Sequence, residues 1–327
     1  MLENVSIVIP SYRSEKLISR TILSILDAGV LPSNIFVIED GIFDNTGDVL
    51  REISGINHIS YAENKGATYA RNLGLSKVET KYVMFIDSDD FVSESLISGL
   101  VTAAEKENSD IAFGPWRRDG DSIPEGELCQ PPSLSTSDWI FHWIKGNGGF
   151  VATCSVLWKT SKVLEIGGWD ESLIKDDDGE LAVRGLISTN SLSISTQGYS
   201  TYWQHNSAFR VSSAPIEDQL FTSNIIYNNI LNWIKKDKSL NKYKVELGLY
   251  CYKAAWNARA RGLEKESVDW LSRARDLGYK SNGFNNKTKL LSTLFGFRYG
   301  ALIYSNLLPI NSKIKTLKSA FRTSKHV

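Results

Sequence analysis

Sulfur is scarce in this chain of 327 residues, which has three cysteines and two methionines. Cys129, Cys154 and Cys251 are odd in number and far apart, with neither CxxC spacing nor a histidine-rich partner segment, which argues against a disulfide framework and a structural zinc site. An excess of one charge sign is missing too. The 37 Lys and Arg balance 37 Asp and Glu, so the molecule as a whole has no field that would point to nucleic acid. No stretch reaches the ~18 apolar residues that a membrane span requires. The opening MLENVSIVIP carries an acidic residue and enters an apolar run at once; it lacks the basic and long apolar regions of a signal peptide, and a cytoplasmic setting is expected. Glycine-rich phosphate loops are also absent. The first strand-to-helix loop reads PSYRSEK, and no GxxxxGK[ST] occurs anywhere. A phosphate bound here would be held by something other than a glycine-lined backbone.

What is present is ordinary in bulk: 42% hydrophobic and 23% charged residues, the range of soluble globular proteins. The length exceeds the ~100–200 residues of one typical domain, so a main domain with an appendage is expected. Residues 5–9 form a short apolar run closed by Pro10, and residues 14–27 place Leu17, Ile18, Ile22, Ile25 and Leu26 on one helical stripe. The alternation continues with a strand at 35–39 ending on Asp40-Gly41, a short helix at 46–53, a strand at 58–62 and a helix at 67–75. A strand from 82, a helix at 93–105 and a fifth strand at 110–113 complete it. Strands and helices in this rhythm predict an α/β fold with a parallel, right-handed, doubly wound sheet of the nucleotide-binding kind.

The most informative stretch is YVMFIDSDDF, an apolar strand that stops on Asp87, Asp89 and Asp90. Ligands of open α/β sheets collect beyond the carboxyl ends of their strands, and carboxylates gathered there are costly to desolvate unless a cation or hydrogen-bond donors meet them. Hard oxygen ligands suit Mg²⁺ or Mn²⁺ shared with substrate phosphates. The plainer alternative is a solvated acidic turn with Ser93 capping the next helix.

Four segments taken in order, SIVIPSYRSEKLISRTILSIL, VIEDGIFDNT, ENKGATYARNLGL and YVMFIDSDDF, resemble the nucleotide-sugar half of family 2 glycosyltransferases of the GT-A fold. The resemblance implies that Pro10 and Tyr12 lie beside the nucleoside and that Asp40 accepts a hydrogen bond from a uracil imide. It implies that Asn64, Lys65, Gly66 and Arg71 border the base and phosphates. Asp87 and Asp89 would hold the donor, and a Mn²⁺ or Mg²⁺ ion would rest on Asp89 and Asp90. One departure stands out: the family's usual DDGSxD is EDGIFD here, with Glu39 replacing the first aspartate and Ile42-Phe43 a polar pair.

Residues 117–137 carry Gly, Pro, Ser and charge with little periodicity and are expected to form a long loop on the acceptor side, with Trp116 a candidate platform for a sugar face. Trp139, Phe141, Trp143 and Ile144 suggest a short amphipathic helix. The segment ATCSVLWKTSKVLEIGGWDESLIKDDDGELAVRGL resembles the acceptor half of the same family, whose usual wording is GGFDE followed by ED-x-E-L and an arginine. Here Asp177, Asp178, Glu180, Leu181 and Arg184 occupy that pattern. Direct displacement at an anomeric carbon needs a base for the acceptor hydroxyl. Asp178 is the expected base, with Asp177 or Asp176 in its place if the register shifts, and neighbouring like charges would raise its pKa usefully. By the same resemblance His205, after the last core strand, would reach the metal or diphosphate, and Arg210 would order a loop over it.

From Pro215 the texture turns helical, with 3.6-residue apolar periodicity over 216–235, 240–261 and 265–277. The expected division is 1–214, comprising a nucleotide-sugar half (1–113) and an acceptor half (114–214), and a helical region at 215–327. After Asp276 there is no acidic residue, while nine Lys and Arg accompany leucines and phenylalanines. That suits either a helix on an anionic membrane face or a basic tail packed on the protein. The resemblance implies an inverting, metal-assisted glycosyltransferase that takes a nucleotide-sugar, a UDP-sugar first of all, to a hydroxyl of a glycan or lipid-linked glycan, in a polysaccharide pathway. A degenerate sugar-nucleotide-binding scaffold and a nucleotidyltransferase are the alternatives.

Overall fold

The computed structural model describes residues 2–121, 126–145, 151–189, 191–204, 215–281 and 283–323. The chain divides into two compact units, Met1–Ala214 and Pro215–Val327.

The first unit is built on a seven-stranded sheet. Strands β1 (Val5–Ser11), β2 (Ile35–Asp40), β3 (Asn57–Tyr61) and β4 (Tyr82–Phe85) lie side by side in the order β3-β2-β1-β4, all parallel. Every residue of β1 is buried, as a strand covered on both faces demands. Helices α1 (Ile18–Asp27), α2 (Thr46–Arg51) and α3 (Ala67–Leu75) follow the first three strands in turn. Gly74 lets α3 lie close on the sheet: a Cβ there would come 2.3 Å from a methyl of Val8. This approach sets the height of the whole helix, Arg71 included.

Beyond β4 the expected parallel run is corrected. Between β4 and β6 (Ile111–Phe113) the sheet inserts β8 (Val156–Lys159), antiparallel to both, and β9 (Leu192–Ile194) closes the edge parallel to β6. The sheet is mixed because the chain leaves it after β6 and re-enters from the opposite end. A second, three-stranded sheet joins β5 (Phe91–Val92), β10 (Ser200–Gln204) and β7 (Trp116–Gly120), in that order with β10 central. The start of the expected 117–137 loop is therefore strand. Its sequence WRRDG has no apolar alternation, and its pairing with β10 supplies the order. Trp116 is buried in the core, with its backbone paired to Cys129, so it offers no platform to a sugar. Helix α4 (Leu96–Glu107) starts later than expected, because the Ser93 hydroxyl accepts the Tyr199 N–H at 2.9 Å instead of capping. Helices α5 (Thr136–Lys145), α6 (Thr160–Glu165) and α7 (Asp177–Ser188) complete the unit.

The second unit is helical: α8 (Ile216–Lys236), α9 (Lys244–Ala260), α10 (Glu264–Asp276) and α11 (Asn286–Thr323), the last kinked at Gly296, whose φ is 69°. Its core gathers aromatic rings around Trp256 of α9, with Phe284, Phe297 and Tyr304 at 5.9, 5.6 and 6.0 Å. Edge-on contacts at these distances add to the area the rings bury.

Candidate active site

The aspartates at the tip of β4 take different surroundings. Asp90 is buried, and its carboxylate accepts the backbone N–H of Trp203 at 2.8 Å. Burial, then the charges of Asp89 and Asp87, push its carboxyl well above the usual range. Asp87 and Asp89 remain partly open to solvent. The turn between them is tied to α1: Thr21 donates to the Ser88 carbonyl at 3.0 Å and Ser14 shares a hydroxyl contact of 2.6 Å with Ser88. Arg20 donates to the Asp89 carbonyl at 2.7 Å. Its guanidinium carbon lies 4.4 Å from the ring centre of Phe91 and 4.3 Å from that of Trp203. This clamp was not anticipated. Arg20 falls on the exposed side of the sequence's helical stripe, and nothing in its spacing reveals two aromatic partners far along the chain.

Arg71, reached from α3, connects this loop to the second acidic cluster. One guanidinium nitrogen is 2.6 Å from Asp87 and another 2.7 Å from Asp177, and the group lies 4.3 Å over the Trp169 ring. The side chain is buried. Burial works against its charge, but Asp87 and Asp177 outweigh that and hold it firmly protonated. Asn72, one residue on, accepts the Trp169 N–H at 2.9 Å and donates to the Trp169 carbonyl at 2.9 Å, so the GGWDE turn is fastened to the same helix.

At the head of α7 the three aspartates also diverge. Asp176 takes the left-handed conformation that turns the chain into the helix, with φ 55°. Asp177 is bound to Arg71. Asp178 receives the Thr153 hydroxyl at 3.2 Å and the N–H of Gly179 at 2.8 Å. Burial, then the adjacent Asp177 charge, raise its pKa to about 7. It borders a cavity of about 50 Å³ whose other walls include Phe113, Trp139, Trp143, Trp158 and Trp169. Apolar walls on one side and a like charge on the other are the conditions that poise a carboxylate as a base near neutrality. Glu180 and Arg184 have a framework role. They pair through two contacts of 2.7 and 2.6 Å, and Arg184 also donates to the carbonyls of Ile166 and Gly168, which locks α7 onto the Gly-Gly turn.

On the nucleoside side, Asp40 is buried at the end of β2 and accepts the backbone N–H groups of Lys65 and Gly66 at 2.6 and 2.9 Å, while Asn64 donates to its carbonyl at 3.2 Å. The two predicted motifs thus meet, with Asp40 shaping the loop before α3. Pro10 sits buried in β1 opposite Ile38. Tyr12 is partly exposed and meets Phe43 edge-on at 5.4 Å. The unusual Glu39 has a partner of its own, His58, at 2.8 Å. His205 and Arg210 lie outside the described residues.

Among the described residues no three His, Cys, Asp or Glu side chains are gathered as a ready-made metal cage. A hard divalent cation shared with a diphosphate needs only one or two protein carboxylates, and the partly open Asp87 and Asp89 fit that requirement.

Residues 6–160 match the sequence model described as Glycosyl transferase family 2. Over 117 residues the chain is 31% identical to glycosyltransferase GlyA of Streptococcus pneumoniae, a match covering 35% of this chain and 17% of that protein. The poly(ribitol-phosphate) β-N-acetylglucosaminyltransferase TarP of Staphylococcus aureus is 23% identical over 94% of this chain and 98% of its own. Among solved structures, residues 1–349 of S. aureus TarS in complex with UDP-GlcNAc superpose with a TM-score of 0.68 at 17% identity, covering 94% of this chain and 92% of that one. At that identity the superposition establishes the GT-A-like α/β fold. The chain spans 17%, 40% and 54% of three of its curated relatives, about half their length or less. With the matched segment and the fold in agreement, residues 6–160 carry the sequence of glycosyltransferase family 2.

Proposed function

We propose that this chain is an inverting glycosyltransferase that moves a sugar from a UDP-sugar to a hydroxyl of a cell-surface polymer or lipid-linked glycan, with Asp178 as general base. The observation that carries this reading is Asp178 itself, raised to about 7 between an apolar cavity and Asp177. Asp177 and Asp176 are poorer candidates, since one is bound to Arg71 and the other sets the helix entry. The division of labour follows the two halves: residues 1–113 hold the nucleotide and residues 114–214 the acceptor, with 215–327 an appendage.

In the reaction the acceptor oxygen bonds to the anomeric carbon as the bond from that carbon to the diphosphate breaks, which inverts the configuration. The hydroxyl proton passes to Asp178. Arg71 faces the developing charge on the leaving diphosphate and pairs with Asp177 beside the base. Tyr12 and Phe43 offer rings to the base of the nucleotide, and Asp40 holds the loop that borders it. A bound Mn²⁺ or Mg²⁺ on Asp89, with Asp87 beside it and His205 as a further candidate, would neutralise charge on the departing diphosphate. Asp90, buried beneath, positions this loop. Uridine as the base, and N-acetylglucosamine as the first sugar to try, are supported by the TarS complex and by the name of TarP.

Calorimetric titration of UDP, GDP and dTDP, each with Mn²⁺ and with EDTA, tests the donor side. The expected result is metal-dependent binding of UDP alone. Binding of another nucleotide would replace the donor, and binding of none would favour a scaffold that has kept the fold without the chemistry.

A further inference from the structure

Helix α11 is apolar on two sides, and only one is used inside its unit. Inward, Phe297 and Tyr304 pack on Trp256, and Ala301 is fully buried among them. Outward, Leu290 is 59% exposed, Leu294 62%, Phe295 48% and Tyr299 61%. A helix that is apolar on both faces requires a second apolar surface, and large exposed apolar groups clustered on one element mark a contact site. Leu290 and Leu294 share a face one turn apart, and the kink at Gly296 divides this segment from the one carrying Tyr299.

Charge decides what covers this face. Lys287 and Lys289 are exposed in the same turns as Leu290, and Arg298, 62% exposed, stands beside Tyr299 while paired to Glu264 at 3.2 Å. From Leu277 to the end the sequence contains nine Lys and Arg and no Asp or Glu, although the whole chain balances 37 of each sign. The rest of the chain is therefore acidic by the same margin, and the charge separation runs along the sequence. A second copy of so basic a face would bring like charges together. An anionic bilayer matches both features, since each cation near such a surface adds attraction and each leucine or aromatic ring buries area at the headgroup boundary. No helix among the described residues is long and apolar enough to cross a membrane.

We propose that the outward face of α11, with Leu290, Leu294, Phe295 and Tyr299 as its apolar contacts and the basic residues around them, docks on the surface of an anionic phospholipid bilayer. This proposal does not depend on the identity of the donor, acceptor or base.

The test sediments the full-length protein with vesicles of phosphatidylcholine alone and of phosphatidylcholine mixed with phosphatidylglycerol. Binding is expected only to the anionic vesicles and should fall steeply with added salt. The double variant Leu290→Ser/Leu294→Ser and the double variant Lys287→Glu/Lys289→Glu should each weaken it by about tenfold. An unchanged far-ultraviolet spectrum and an unchanged midpoint of urea denaturation would show both variants folded. Three results would overturn the proposal: no binding to anionic vesicles; binding that the variants leave unchanged; or wild-type protein that is oligomeric by light scattering and made monomeric by the leucine variant, which would give the face to a second copy.

Discussion

Two clusters of aspartate head the candidate site, one at the tip of β4 and one at the start of α7, and in sequence they look alike. In the fold they are opposites. At β4 the most buried member, Asp90, is tied to the Trp203 backbone, while Asp87 and Asp89 stay partly open to solvent, Asp87 in an ion pair with Arg71. At α7 the first two members, Asp176 and Asp177, are given to the helix entry and to Arg71, and the third, facing the cavity, has its pKa raised to about 7. One cluster leaves two carboxylates partly open to solvent, and the other sets one carboxyl against an apolar cavity. Arg71 joins them, so its removal should affect both, whereas single aspartate changes should affect one side only.

The largest effect is expected from Asp178→Asn. Loss of a positioned general base should lower kcat by about 10²–10⁴-fold while UDP affinity in a calorimeter stays near wild type; near-normal turnover would remove Asp178 from the mechanism. Next is Arg71→Met. It leaves Asp87 and Asp177 facing each other across an uncharged chain and should cost about 3 kcal/mol of stability, read from urea denaturation. It should also weaken UDP binding, and because Arg71 lowers the Asp178 pKa, the inflection in the pH–rate profile should move upward. An unmoved profile would uncouple the clusters.

The pH dependence itself is the third expectation. The base must be ionised to act, so kcat/KM should fall about tenfold per pH unit below an inflection near 7, as the raised pKa of Asp178 requires. The stability sign is the reverse. A carboxyl whose folded pKa is raised leaves the fold most stable below its unfolded value and weakens it as pH climbs to the folded one. Asp178→Asn should therefore raise Tm by a few degrees at pH 8 and hardly at all at pH 4, measured by calorimetry. Fourth and smaller, Asp90→Asn keeps an acceptor for the Trp203 N–H and removes a charge that burial already disfavours. It should change turnover by about threefold or less, whereas Asp89→Asn should remove the Mn²⁺ dependence of UDP binding in the calorimeter; equal damage from both would return Asp90 to the ligand set. The smallest effect belongs to Arg20→Lys, which keeps the charge near the Asp89 carbonyl but loses the planar stack on Phe91 and Trp203. A several-fold rise in the Mn²⁺ concentration for half-maximal rate is expected, with kcat little changed.

Much of the first unit was legible before any coordinates. The parallel run β3-β2-β1-β4 follows from apolar stretches alternating with 3.6-residue stripes, and Asp87, Asp89 and Asp178 stood out because carboxylates at strand and helix ends have a chemical reason to be there. What stayed hidden shares one cause: dependence on partners distant in sequence. β7 is a strand only because β10 lies beside it, and β8 runs against its neighbours because of how the chain returns. Trp116 could stack on a sugar as far as its type is concerned; burial against the core decides otherwise. The Arg20 clamp and the Arg71 bridge span 69 and 106 residues of chain, and no local pattern encodes them.

By itself, then, the sequence determined the periodicities that build β1 to β4 and their helices, and the acid-free, basic character of the last fifty or so residues, because these depend on neighbours a few positions away. It also placed the acidic clusters at the ends of elements. Only the tertiary structure decided which aspartate in each cluster is buried, which is paired and which has its pKa raised, because a carboxylate's state depends on desolvation and on charges within a few ångströms, and those neighbours are assembled by folding.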